Sequence, residues 1–234
     1  MYGSHAPPHA PGPLHKRRAG RAPLGMPLTP HTFPSAPVLP YDAAFRSQLR
    51  TGDLLLCSGR GVFSELIQQA TDSLWSHVAL IVRLDELDRV MLFESLETYG
   101  VRTVPLSRYL QDEDPQGHPY PGGLVVVRHR TLARECSPQA LRRMLQFAVD
   151  QFGRAYNRQE IVRIAARLLA GALHPGRREL KAPGQREYLC SEYVAACLAQ
   201  AGVPLMQGTR GYVTPADFAD PGLTELIGVL KPLL

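Results

Sequence analysis

Cysteine is scarce in this sequence, with four residues (Cys57, Cys136, Cys190 and Cys197) among 234. Four are too few for a dense disulfide framework, and no two stand as Cys-x-x-Cys, the spacing of zinc and dithiol redox sites. A reducing compartment is the simpler setting. Long apolar runs are also missing. A membrane span needs ~18 uninterrupted apolar residues, and the nearest stretch, Ile161–Leu173, is broken by Arg163 and Arg167. The N-terminal part lacks the apolar core of a secretory signal, so the expected location is cytoplasmic. Neither Gly-x-Ser-x-Gly nor His-Glu-x-x-His occurs, which argues against a serine hydrolase elbow and a zincin. Gly59-Arg60-Gly61 lacks the Lys-Ser/Thr ending of a phosphate loop. No metal and no cofactor is expected.

Acidic residues are absent from positions 1–40, where Lys16, Arg17, Arg18 and Arg21 give +4. The remainder carries 22 basic and 21 acidic residues. The basic balance therefore belongs to the tail, and nucleic-acid binding through the core gets little support. The same 40 residues hold 10 of the 21 prolines and four of the eight histidines. Such a composition buries too little apolar surface to offset its ordering entropy, so residues 1–40 are expected to be a disordered tail. His15-Lys16-Arg17-Arg18 offers a contact for an acidic partner, although a solvated charge run is the commoner meaning of such a cluster. Residues 41–234 are long enough for one sizeable domain.

From Tyr41 onward the pattern alternates between two periods. A short helix is expected at Ala43–Leu49, a buried strand at Leu54–Cys57 and a helix at Val62–Thr71. Two strands follow, His77–Val82 and Val90–Ser95, joined by the short acidic segment 84–88, which reads as a hairpin. A register symmetric about Asp85-Glu86 pairs 82 with 89, 80 with 91 and 77 with 94. His77 then faces Glu94, with opposed Cβ atoms ~5 Å apart. A slip of two residues keeps them on one face; a slip of one separates them. Val101–Pro105 and Leu124–Arg130 read as strands, and Leu106–Leu110, Pro138–Phe152 and Arg158–Ala170 as helical. Strands in the middle with helices on both sides argue an α+β fold with a largely antiparallel sheet.

The stretch Tyr188–Gly202 carries the chemistry. Cys190, Tyr193, Val194, Cys197, Leu198 and Ala201 fall on one helical stripe, and Gly202 and Pro204 mark its end. Cys190 is expected in the first turn, where unpaired N–H groups and the positive dipole end favour a thiolate. Taken alone, a small thiol on a helix stripe is more often core than nucleophile. A histidine opening one strand and a carboxylate on the next supply the remaining parts of thiol catalysis. Sequence spacing does not say whether Cys190 meets His77.

Several short motifs occur in a telling order: Thr51-Gly52-Asp53-Leu54-Leu55, Ser76-His77-Val78-Ala79-Leu80, Phe93-Glu94-Ser95, Gly100-Val101, Val104-Pro105-Leu106, Gly153 with Tyr156-Asn157, Tyr188–Val194, and Thr214-Pro215-Ala216-Asp217. In this order they resemble the circularly permuted papain-like cysteine hydrolases of the NlpC superfamily, most closely the YiiX/YaeF-like group, over about residues 50–220. The resemblance implies a permuted papain-like fold, with Cys190 as nucleophile, His77 as base and Glu94 as the group orienting the ring. It also implies an amidase or peptidase that cleaves an amide bond in a short or cell-wall-type peptide, or another small acyl-amide, through an acyl-thioester. This chain has Tyr156-Asn157 where the family often has Tyr-Asp. Tyr156 and Ser191 are the candidates for substrate or oxyanion contact, and Glu97 is the fallback carboxylate. Two other readings remain: a lipid acyltransferase or thioesterase of the lecithin–retinol acyltransferase type, and a binding module without turnover.

Overall fold

The computed structural model describes residues 36–157, 187–203, 205 and 213–233. The expected helix at Arg158–Ala170, the loop at 172–186 and tail residues 1–35 lie outside them.

A six-stranded antiparallel sheet forms the middle layer, in the order β4-β3-β2-β1-β5-β8. The strands are β1 (Asp53–Ser58), β2 (His77–Leu84), β3 (Arg89–Leu96), β4 (Gly100–Pro105), β5 (Gly123–His129) and β8 (Thr224–Lys231). The apolar run Leu54-Leu55-Leu56-Cys57 sits near the centre, paired with β2 on one side and β5 on the other. A strand covered on both faces needs such a run, because neither alternate set of side chains meets water. Leu54 and Leu56 join one core cluster with α5 (Pro138–Asp150) and α6 (Cys190–Gln200); Leu55 and Cys57 join a second with Phe45, Leu49, Leu106 and Tyr109. The second cluster is closed by α1 (Ala43–Arg46) and α3 (Leu106–Gln111). Helices thus cover both faces of an α+β fold with an antiparallel sheet, the class expected from the sequence.

The β2–β3 hairpin differs from the symmetric register. Leu80 pairs with Phe93 and Val82 with Met91, a shift of two residues. A 3-10 turn at Asp85–Leu87 and a left-handed Asp88 (φ 46°) lengthen the connection and set this register. An even shift preserves the face, so His77 and Glu94 still share one side as diagonal neighbours.

Four other elements escaped the sequence pattern. The edge strand β8 pairs with β5 through two irregularities, which blur the period-2 signal on which strand recognition depends. Residues 130–135 form α4, and the two-residue strands β6 (Ala155–Tyr156) and β7 (Glu187–Tyr188) pair in parallel. The chain also joins the sheet edge before Tyr41: Val38 bridges Val229, and the Leu39 N–H donates to the Val229 carbonyl.

Candidate active site

The site is assembled at one end of the sheet, where β2 begins and α6 starts. His77 is the first residue of β2, and its Nε2 lies 2.9 Å from Glu94 Oε2. The Cys190 side chain lies close enough to this ring to raise its proton affinity, and both residues line one cavity. Because Nε2 is taken by Glu94, Nδ1 is the nitrogen left for the sulfur. All three residues are buried, at 6%, 0% and 4% exposure for His77, Glu94 and Cys190.

Glu94 accepts more than the histidine. Arg102 Nε donates to Oε1 at 2.9 Å, and the Tyr109 hydroxyl makes a short hydrogen bond to Oε2. Arg102 is the cross-strand partner of Glu94 on β4 and lays its guanidinium over the Tyr99 ring at 4.2 Å. Burial alone would push the Glu94 carboxyl up, but His77, Arg102 and the Tyr109 hydroxyl outweigh it and hold the carboxyl below its ordinary value. Burial likewise works against a charged His77. The nearby Cys190 side chain and the hydrogen bond to Glu94, with the negative charge on both, raise the ring to about 10. A buried carboxylate without such donors would be costly, so this four-membered arrangement is what makes Glu94 tolerable at full burial.

Cys190 is set by the elements around it. It opens α6, and its lead-in is fixed when Ser95 Oγ donates to the Tyr188 carbonyl at 2.9 Å, tying β3 to β7. The Glu192 carboxylate reaches back to accept from the Leu189 N–H at 3.2 Å, half of a capping box. The Tyr193 hydroxyl donates to the Ala148 carbonyl and anchors the helix to α5. The Tyr156 side of the site depends on Gly100. A Cβ there would sit 2.1 Å from the Arg154 carbonyl oxygen, and its φ of +68° favours glycine in any case. Val101 can then exchange backbone hydrogen bonds with Arg154 and Gly153, which docks the 153–156 segment against β4.

A cavity of about 200 Å³ opens beside the sulfur, with His77, Ser76, Glu97, Glu113, Tyr120 and Tyr156 in its wall. Tyr156 is buried against Phe63 in an edge-on contact. Burial first, then the charge of Cys190, pushes its phenol well up, so it keeps its proton and remains a donor. Ser191 is not part of this wall. Its hydroxyl donates to the Val213 carbonyl at 2.7 Å inside the core, so the side chain is spent on packing the helix. Glu97 lines the cavity from the β3–β4 turn and does not displace Glu94 as the partner of His77. Cys57 and Cys197 are buried core thiols raised by burial, in keeping with a packing role.

Arg102, Tyr109, Tyr120 and Glu113 went unnoticed in the sequence. Arg102 was accessible to cross-strand counting once Gly100 is taken as the start of β4. The other three reach the site from α3 and the loop after it, and no local pattern marks them. Among the described residues, no three or more His, Cys, Asp or Glu side chains are grouped to hold a metal ion, and no helix is long and apolar enough to cross a membrane.

Comparison with known proteins bears on this geometry. The family model described as permuted papain-like amidase enzyme, YaeF/YiiX, C92 family, matches residues 48–163. No curated protein matches. Among solved structures, the crystal structure of metalloprotein yiiX from Escherichia coli O157:H7 is similar, with a TM-score of 0.53 and 19% identity over 80% of this chain and 99% of that one. At that identity the likeness establishes the fold. Family match and shared architecture together support a permuted papain-like, YiiX-like protein, and the matched family is described as one of amidase enzymes.

Proposed function

We propose that this protein is a cysteine amidase in which Cys190 is the nucleophile, His77 the proton carrier and Glu94 the group that orients the imidazole. The observation that carries the reading is a single ring bonded to Glu94 Oε2 at 2.9 Å and set beside Cys190, close enough for the sulfur to raise its proton affinity, at the wall of one cavity. The thiolate is the attacking species, and the imidazole beside the sulfur is placed to take up its proton. The sulfur adds to the amide carbonyl carbon, and the carbonyl π electrons move onto oxygen. The N–H groups at the start of α6 and the Tyr156 hydroxyl are the donors for that oxyanion. As the C–N bond breaks, His77 gives its proton to the leaving nitrogen, and an acyl-thioester remains on Cys190. Water, deprotonated by the now neutral His77, then hydrolyses the thioester and restores the starting charges.

The substrate is an amide small enough for a 200 Å³ cavity to take the residue next to the scissile bond, as in a short peptide. Cys190→Ala, assayed on a panel of short peptide amides, is expected to lower kcat by about 10³-fold or more while the protein remains folded by circular dichroism. Wild-type rates in that variant would remove the assignment.

A further inference from the structure

The charges around the cavity are lopsided. Its wall contains two carboxylates, Glu97 from the turn after β3 and Glu113 from the loop after α3, and no lysine or arginine among the described residues. Glu113 is half-buried and makes no hydrogen bond or ion pair with any described residue. Arg102, whose positive charge acts on Glu113, is committed elsewhere, to Glu94 Oε1 and to the face of Tyr99. Burial raises the Glu113 carboxyl and Arg102 only partly offsets it, so this carboxylate is short of compensation.

The loop that carries Glu113 is held firmly. Tyr120 stacks on Tyr109 with centroids 5.1 Å apart, and its carbonyl accepts from Lys231 Nζ. Asp114 closes the tip by accepting from the Gln116 and His118 N–H groups. A half-desolvated carboxylate on a braced loop, across a cavity from Cys190 with no cation but His77 among the described residues of its wall, is arranged to receive positive charge.

We infer that Glu113, assisted by Glu97, makes the cleft selective for substrates bearing an ammonium or guanidinium group close to the scissile amide. This rests on the amidase reading for its meaning as substrate choice, but the charge preference itself does not depend on turnover. Anionic acyl groups and phospholipid headgroups are disfavoured by the same field.

The test uses methanethiosulfonate reagents of three charges (aminoethyl, methyl and sulfonatoethyl). The rate of Cys190 modification is followed by mass spectrometry, and each rate is divided by that of a free model thiol. In the wild-type protein the normalised cation-to-anion ratio is expected to be about tenfold above unity, since His77 acts in the opposite sense and Glu113 must outweigh it. Glu113→Gln should cut the ratio several-fold while the neutral reagent reacts at its wild-type rate, and Glu113→Lys should invert it. A wild-type ratio of unity, or one that ignores both substitutions, overturns the inference. A second arm compares lysyl with norleucyl peptide amides, where the wild-type preference in kcat/KM should favour lysine and collapse in Glu113→Gln. If neither amide is cleaved while the reagent ratio behaves as expected, the amidase reading fails and the charge selectivity stands.

Discussion

In the proposed mechanism, Glu94 is the residue on which the proton chemistry turns. Its Oε2 is shared between the His77 ring and Tyr109, and its Oε1 belongs to Arg102. Three donors fix the carboxylate in one orientation and keep it ionised at full burial. Replacing it by glutamine preserves shape but removes the charge that helps hold His77 protonated. Glu94→Gln should therefore move the alkaline limb of kcat/KM from about pH 10 toward the ordinary histidine value, and lower the rate by about 10²–10⁴-fold. A pH–rate profile of the two proteins decides it. The same group links stability to pH. His77 binds its proton more tightly folded than unfolded, so this contribution is complete below the unfolded value of about 6.5 and is lost as pH rises toward 10. Urea midpoints measured from pH 7 to 10 should fall in the wild type and fall less in Glu94→Gln.

At the scale of elements, the motif Gly52-Asp53 shows how a sequence signal becomes a structural device. Asp53 opens β1 at 1% exposure, accepts from Arg128 Nε and Nη2 at 2.6 and 2.8 Å, and takes the Arg50 N–H at 2.8 Å. Arg128 is its cross-strand partner on β5, so the fork clamps the β1–β5 register at the end opposite His77. Asp53→Ala leaves a mostly buried guanidinium without its counter-charge and should cost about 3–5 kcal/mol, read from urea unfolding. The hairpin between β2 and β3 was legible as a hairpin but not in register. The pattern of apolar residues fixes which face each side chain takes, and it is unchanged by an even shift. The extra two residues went into the 3-10 turn, whose geometry the acidic segment 84–88 does not announce.

For the molecule as a whole, the two apolar clusters lie on opposite faces of the same strands and cannot melt independently. Leu198 on α6 packs in one, and Phe45 on α1 packs in the other, where the benzyl group also crowds Gly228 of β8. Phe45→Ala and Leu198→Ala should each lower stability by about 2–5 kcal/mol and shift one common unfolding transition with an unchanged denaturant slope. Two transitions in either variant, followed by tyrosine fluorescence and circular dichroism, would show that the faces unfold separately.

Local order and face were determined by the sequence: the apolar run of β1, the stripe of α6 ending at Gly202, the thiol at that helix's head, and His77 and Glu94 on one side of a sheet. Each of these follows from periodicity or capping within a dozen residues, where side-chain direction is set by backbone geometry. That Cys190 and His77 share one cavity was decided only by the tertiary structure, since 113 positions separate them and no local rule spans that gap. The same holds for Tyr109, Tyr120 and Glu113, which come to the cavity from a loop whose path depends on packing against β8. Ser191 marks the reverse case. Its place beside Cys190 suggested a role in the cleft, but one step along a helix turns a side chain by about 100°, and here that turns the hydroxyl into the core.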